Sequence, residues 1–163
     1  MLNFRPDRNV VRSFCLVLVT WLATGISFFA RANSTEPNIA LSLSNFDDRL
    51  FFALGMIESG NDDLGIGSAG EVSRYQIHPS VWKNYCGSRD YQNPEVSLQV
   101  ARRHWNYLTR YFRDKTRRAP TSFDMYVLWN TRFGHYARKG FDPDRLAPVV
   151  RGRAQRFVNL VSR

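Results

Sequence analysis

Residues 47–77 read DDRLFFALGMIESGNDDLGIGSAGEVSRYQI, and the spacing of their first half decides the fold class. Leu50, Leu54 and Ile57 recur at helical intervals, and Glu58 follows Leu54 by one turn, so a carboxylate projects from the apolar stripe. Burial disfavours an ionised carboxylate and raises its pKa; in apolar pockets such groups reach about 6, which suits a general acid. A glutamate paired with an arginine, or capping a loop, would satisfy the same pattern. The loop that follows carries Gly60, Gly65, Gly67 and Gly70, which would let backbone approach a bound substrate closely.

Outward from this stretch the signals remain helical. The first helix is expected from Asn45 or Phe46 to Ser59, stopped by Gly60. RYQI, residues 74–77, reads as a short strand or irregular segment, and Pro79 opens a short helix. Asn93, Pro94 and Glu95 form a strong helix start, followed by the stripe Leu98, Ala101, Trp105, Leu108 and Phe112. Thr121 and Asp124 have capping-box spacing before a helix whose stripe holds Phe123, Tyr126, Val127 and then the polar Asn130. Asp142-Pro143 opens the last helical region, with Leu146, Val150, Ala154, Phe157 and Val161 as its apolar positions. With no sustained alternation of apolar and polar residues, the predicted fold class is mainly α, with room for a minimal β element.

The chain has 163 residues and a net charge of +9, which predicts one domain. Its start has the pattern of an export signal. Arg5, Arg8 and Arg12 precede the apolar run SFCLVLVTWLATGISFFA, and Ala30-Arg31-Ala32 fits a small-x-small cleavage site. The run is also long enough for an uncleaved anchor; the A-x-A pattern favours cleavage after Ala32. Residues 1–32 are thus expected to be a signal peptide, 33–44 a polar linker and 45–163 the exported catalytic or binding domain. The expected location is the periplasm or cell envelope. The part beyond Ala32 stays basic, which suits an anionic polymer or membrane surface; export argues against nucleic acid. It keeps one cysteine, Cys86, so no internal disulfide is expected.

IESG, SAG and YQI together resemble the soluble lytic transglycosylase domain of the lysozyme-like superfamily. Gln76 stands as far after Glu58 as the family's glutamine stands after its catalytic acid, and Ser68–Gly70 falls in register. LQVARRHWNYL resembles the family's amphipathic helix, and VLWNTRFG sits where the family has A-Y-N-A-G, matching Asn130 to its asparagine. The resemblance spans about residues 46–140. It implies a lysozyme-like single domain that cleaves peptidoglycan between N-acetylmuramic acid and N-acetylglucosamine. Glu58 would protonate the glycosidic oxygen and then act as base on the muramyl C6 hydroxyl, closing a 1,6-anhydro ring. Ser59, Gln76 and Asn130 match residues that contact sugar or the site, although each also fits a purely structural hydrogen bond. No cofactor is implied. The expected partner is the glycan strand, with envelope machinery as a further partner class and a monomer as the expected state.

The chain departs from the family pattern at two places. Ser73-Arg74-Tyr75-Gln76 replaces G-L-M-Q, and Leu128-Trp129-Asn130 replaces A-Y-N. The family's tyrosine supports the acid; Trp129 can donate one N–H but cannot act as a phenol. Tyr75 or Tyr126 is left to take that part, with Tyr75 and Trp129 as substrate contacts. The Trp129 replacement also motivates a non-catalytic peptidoglycan-binding module. Glu71, in the glycine-rich loop, is the second candidate catalytic residue. A partner carboxylate roughly 6.5–9.5 Å from Glu58 could activate water, making the enzyme an inverting muramidase; an ion pair with Arg74 is the structural alternative. Asp62 and Asp63 read as loop caps. His78, Cys86, His104 and His135 match no metal-ligand spacing, so no metal is expected. Trp82, Trp105, Trp129 and Tyr136 could line a sugar cleft or fill the core.

Overall fold

A computed structural model describes residues 37–131 and 134–163, with side chains from residue 45 onward; the signal segment 1–32 and the linker up to residue 36 lie outside the described residues. The fold is mainly α. Among the described residues six α-helices follow in order: α1 Pro37–Glu58, α2 Pro79–Trp82, α3 Pro94–Thr116, α4 Ser122–Asn130, α5 His135–Arg138 and α6 Pro148–Val161, with a 3-10 turn at Pro143–Arg145. The minimal β element is present as two isolated bridges, Ile66 with Val72 and Val72 with Ile77. Among the described residues no helix is long and apolar enough to cross a membrane.

Two boundaries of the first helix need correction. Residues 37–44, expected as linker, are helical, and α1 ends at Glu58 rather than Ser59. Pro37 is compatible with a first helical turn, and nothing between it and Asn45 breaks the run. At the far end Gly60 (φ 73°) and Asn61 (φ 65°) turn the chain left-handed, and the Asn61 amide donates back to the Gly55 carbonyl at 3.0 Å. Gly55 lies inside the helix because the loop folds back on it. A side chain there would collide with Asn61 Oδ1.

The capping signals of α3 and α4 are realised as the sequence indicates. Asn93 Oδ1 accepts from the amides of Glu95 and Val96 at 3.0 and 3.2 Å. Thr121 and Asp124 cap each other, the Asp124 amide donating to Thr121 Oγ1 at 3.2 Å and the Thr121 amide to Asp124 Oδ2 at 2.9 Å. Buried Asp124 also accepts from Arg118 Nη1 at 2.8 Å and Tyr136 Oη at 2.9 Å. One carboxylate therefore ties the ends of α3, α4 and α5 together. Burial pushes its pKa up, but the bonds from Arg118, Thr121 and Tyr136 outweigh that and hold it below the usual value.

The core lies between α1, α3, α4 and α6. Leu54, Leu108, Phe112, Tyr126, Val127, Ala154 and Phe157 are fully enclosed or nearly so, each large apolar side chain contributing about 1.5–3 kcal/mol by leaving water. The Tyr126 ring stacks on Phe157 with centroids 5.2 Å apart, and Phe51 meets Trp105 edge-on at 6.0 Å. The first contact joins α4 to α6 and the second joins α1 to α3; α6 also packs along α1, whose C-terminal end carries the acidic side chain.

Candidate active site

Glu58 is the last residue of α1, and its carboxyl is half-buried against α4. Tyr126 Oη donates to Glu58 Oε1 at 2.7 Å. Burial raises the Glu58 pKa; the Tyr126 bond and the Arg153 charge partly offset this, while Glu71 adds to it. Tyr126 is held on its own side by burial and by the carboxyl it faces, which raise its pKa far above the usual phenol range. The phenol thus stays protonated and remains the donor.

Glu58 opens into a cleft of about 550 Å³. The loop contributes Gly67, Ser68, Glu71 and Gln76 to its lining, α3 contributes His104 and Leu108, α4 contributes Leu128, Trp129 and Asn130, and α6 contributes Arg153. Loop geometry follows from its glycines and bridges. Val72 and Ile77 exchange two backbone hydrogen bonds at 3.0 Å, and the Gly67 amide donates to the Glu71 carbonyl at 2.8 Å. Gly70 takes φ 84° at the tip, a conformation that costs glycine little. A Cβ on Gly67 would collide with Glu71 Oε2 and Gln76 Oε1, so glycine there lets both side chains reach the cleft. Glu71 Oε2 accepts from the Ala69 amide at 3.1 Å.

Five of the seven residues singled out in the sequence share this cleft: Glu58, Glu71, Gln76, Trp129 and Asn130. Gln76 serves two ends at once, because its Nε2 donates to the carbonyls of Gly65 and Ser73 at 3.3 and 3.1 Å while its side chain faces the cavity. Trp129 Nε1 donates to the Tyr75 carbonyl at 3.3 Å, leaving its ring to face the cleft beside His104, 5.1 Å away between centroids.

Ser59 and Tyr75 are not brought into it. Ser59 Oγ donates to the Arg74 carbonyl at 2.8 Å and accepts from the Asp62 amide at 3.1 Å, so it locks the loop to the end of α1. The Tyr75 ring is buried edge-on against Phe51, centroids 6.1 Å apart. Support of the acid therefore falls to Tyr126. Arg74 pairs with Asp63 rather than with Glu71, and Asp62 caps the loop through the Leu64 amide at 2.9 Å. Trp82 and Tyr136 are core residues, and Trp105 packs against that core.

Neither His104 nor Arg153 was expected in the cleft from the sequence. His104 is half-buried, and that burial alone lowers its pKa to about 4, so it is neutral at pH 7; its Nδ1 lies 3.0 Å from Tyr85 Oη. Its place one turn before Leu108, on the stripe side of α3, was the available signal. Arg153 comes from α6, next to buried Ala154, and nothing local in the sequence ties it to Glu58. Among the described residues no group of three His, Cys, Asp or Glu side chains is placed to hold a metal ion. The arrangement offers a carboxyl kept neutral to higher pH than usual, oriented by a phenol and sharing its cleft with a second carboxylate. It can deliver a proton to a bound oxygen and take one back. Compared with protein-family models, curated proteins and solved structures, the chain gives no significant match to any of them.

Proposed function

We propose that this protein is an exported enzyme that cleaves the peptidoglycan glycan strand between N-acetylmuramic acid and N-acetylglucosamine, acting as a lytic transglycosylase. The carrying observation is the Tyr126–Glu58 hydrogen bond at 2.7 Å on the wall of the cleft, which orients a carboxyl whose pKa is raised by burial. Protonated Glu58 donates its proton to the glycosidic oxygen, the C1–O bond breaks and the leaving sugar departs with a free 4-hydroxyl. The carboxylate so formed takes the proton of the muramyl C6 hydroxyl as that oxygen bonds to C1. The 1,6-anhydro ring closes and Glu58 is protonated again. Acid–base assistance of this kind supplies about 10²–10⁴-fold.

A hydrolytic course is the second reading, favoured by Glu71. It lines the same cleft and lies close enough to raise the pKa of Glu58. Glu71 as base would direct water to C1, giving a reducing end. Digestion of purified sacculi followed by mass spectrometry separates the two, because the anhydro product is lighter by one water. Glu58→Gln abolishes release of either product; near-normal turnover by that variant refutes the site.

A further inference from the structure

Arg153 brings a positive charge into a groove whose acid is built to be neutral. It is half-buried on α6, lines the cleft with Glu58 and acts on that carboxyl through its charge. Yet among the described residues it makes no ion pair, whereas Arg74, Arg102, Arg118 and Arg151 each do. Among the described residues its single hydrogen bond is a long one, Nη2 to the Ile57 carbonyl at 3.5 Å, which leaves most of its five N–H donors uncommitted there. A guanidinium presents its donors in a planar fork that matches a carboxylate.

We propose that Arg153 forms an anion subsite in the cleft, binding a carboxylate carried by the saccharide beside the bond that is cut. The inference rests on the glycan-cleavage reading and adds a charge requirement to it: the preferred strand is acidic next to the scissile linkage, not merely a chain of N-acetylated sugars. Two sources offer that chemistry, the lactyl carboxylate of a muramyl residue without a peptide and the carboxylates of an attached peptide.

Binding, measured without turnover, tests this. Glu58→Gln protein with Arg153 intact is titrated calorimetrically with peptide-free glycan strands, with peptide-bearing strands and with uncharged N-acetylglucosamine oligomers. The same titrations are repeated on Glu58→Gln/Arg153→Gln and Glu58→Gln/Arg153→Lys. The expected result is an affinity loss of about tenfold or more for carboxylate-bearing strands in the glutamine variant. Lysine should restore part of that loss, and the neutral oligomers should bind unchanged. A loss confined to peptide-free strands assigns the lactyl carboxylate, and one confined to peptide-bearing strands assigns the peptide. Equal weakening on neutral and acidic ligands overturns the subsite, as does no weakening at all or no binding of any strand by the parent. If the glutamine variant fails to fold, the lysine variant carries the comparison, with a smaller loss expected on acidic strands alone. Should wild-type protein bind acidic strands through Arg153 yet cut none of them, the cleavage reading fails while the subsite stands.

Discussion

Tyr126 on α4 donates to Glu58 at the end of α1 across 2.7 Å and a sequence separation of 68 residues. This bond fixes which way the carboxyl faces, and it also limits how far burial raises its pKa. Tyr126→Phe therefore lowers kcat about tenfold to a hundredfold, the scale of one hydrogen bond to a charged group. The alkaline limb of the pH–rate profile moves to higher pH, because a lowering influence on Glu58 is removed. A profile that keeps its limb while kcat falls would mean that the phenol does not set the Glu58 pKa, since phenylalanine keeps the ring on Phe157.

Glu58 itself is predicted to reduce stability at neutral pH. Its folded pKa is raised above the ordinary 4.5, so the unfolded chain ionises more readily. Its contribution is best below pH 4.5 and is lost as pH rises through the folded value. Glu58→Gln, which keeps an acceptor for Tyr126, should raise the urea midpoint at pH 8 and lose that advantage in acid. Parallel stability curves for the two proteins between pH 4 and 8 would count against a buried, penalised carboxyl.

Gly67→Ala tests how closely the loop approaches the cleft. Its new methyl group meets Glu71 Oε2 and Gln76 Oε1, both on movable side chains, so the fold holds while the groove rearranges. Product release from sacculi should fall about tenfold to a hundredfold, the cost of misplacing groups by around 1 Å, with little change in the urea midpoint. Full activity in this variant would show that neither Glu71 nor Gln76 needs its present position.

Asp124 is where the scaffold is most exposed to a single change. Asp124→Asn leaves the Thr121 amide and hydroxyl, Tyr136 and Arg118 with a weaker acceptor or none, for a loss of about 2–3 kcal/mol. The wild-type advantage is present above the ordinary 3.8 of an aspartate and disappears as pH falls through the lower folded value. Urea titrations at pH 7 and in strong acid read this directly; a gap that persists unchanged in acid would rule out the charge as its source.

Helix starts were legible because their signals are local. Asn93-Pro94-Glu95 and Thr121 with Asp124 satisfy backbone amides within one turn, so no distant partner is needed to recognise them. The start of α1 was not legible, since Pro37 fits a linker as well as a first helical turn. Glu58 stood out because a carboxylate on an apolar stripe is anomalous whatever surrounds it. Ser59 and Tyr75 were misplaced because backbone direction in the loop, including the left-handed Ser73 (φ 64°) and Gln76 (φ 50°), decides which side chains turn inward.

By itself the sequence determined a mainly helical chain, the caps of its central helices, and one acid in a setting that opposes its charge. All of these arise from periodicity and neighbours within a few residues. Tertiary structure alone decided that Tyr126 rather than Tyr75 holds that acid, that Arg153 from α6 and His104 from α3 reach the same groove, and that Ser59 is spent on the loop. The first two depend on how α3, α4 and α6 pack around the end of α1, and the last on how the loop folds back. That packing comes from buried rings such as Tyr126 on Phe157, whose positions in the chain carry no record of the partner they meet.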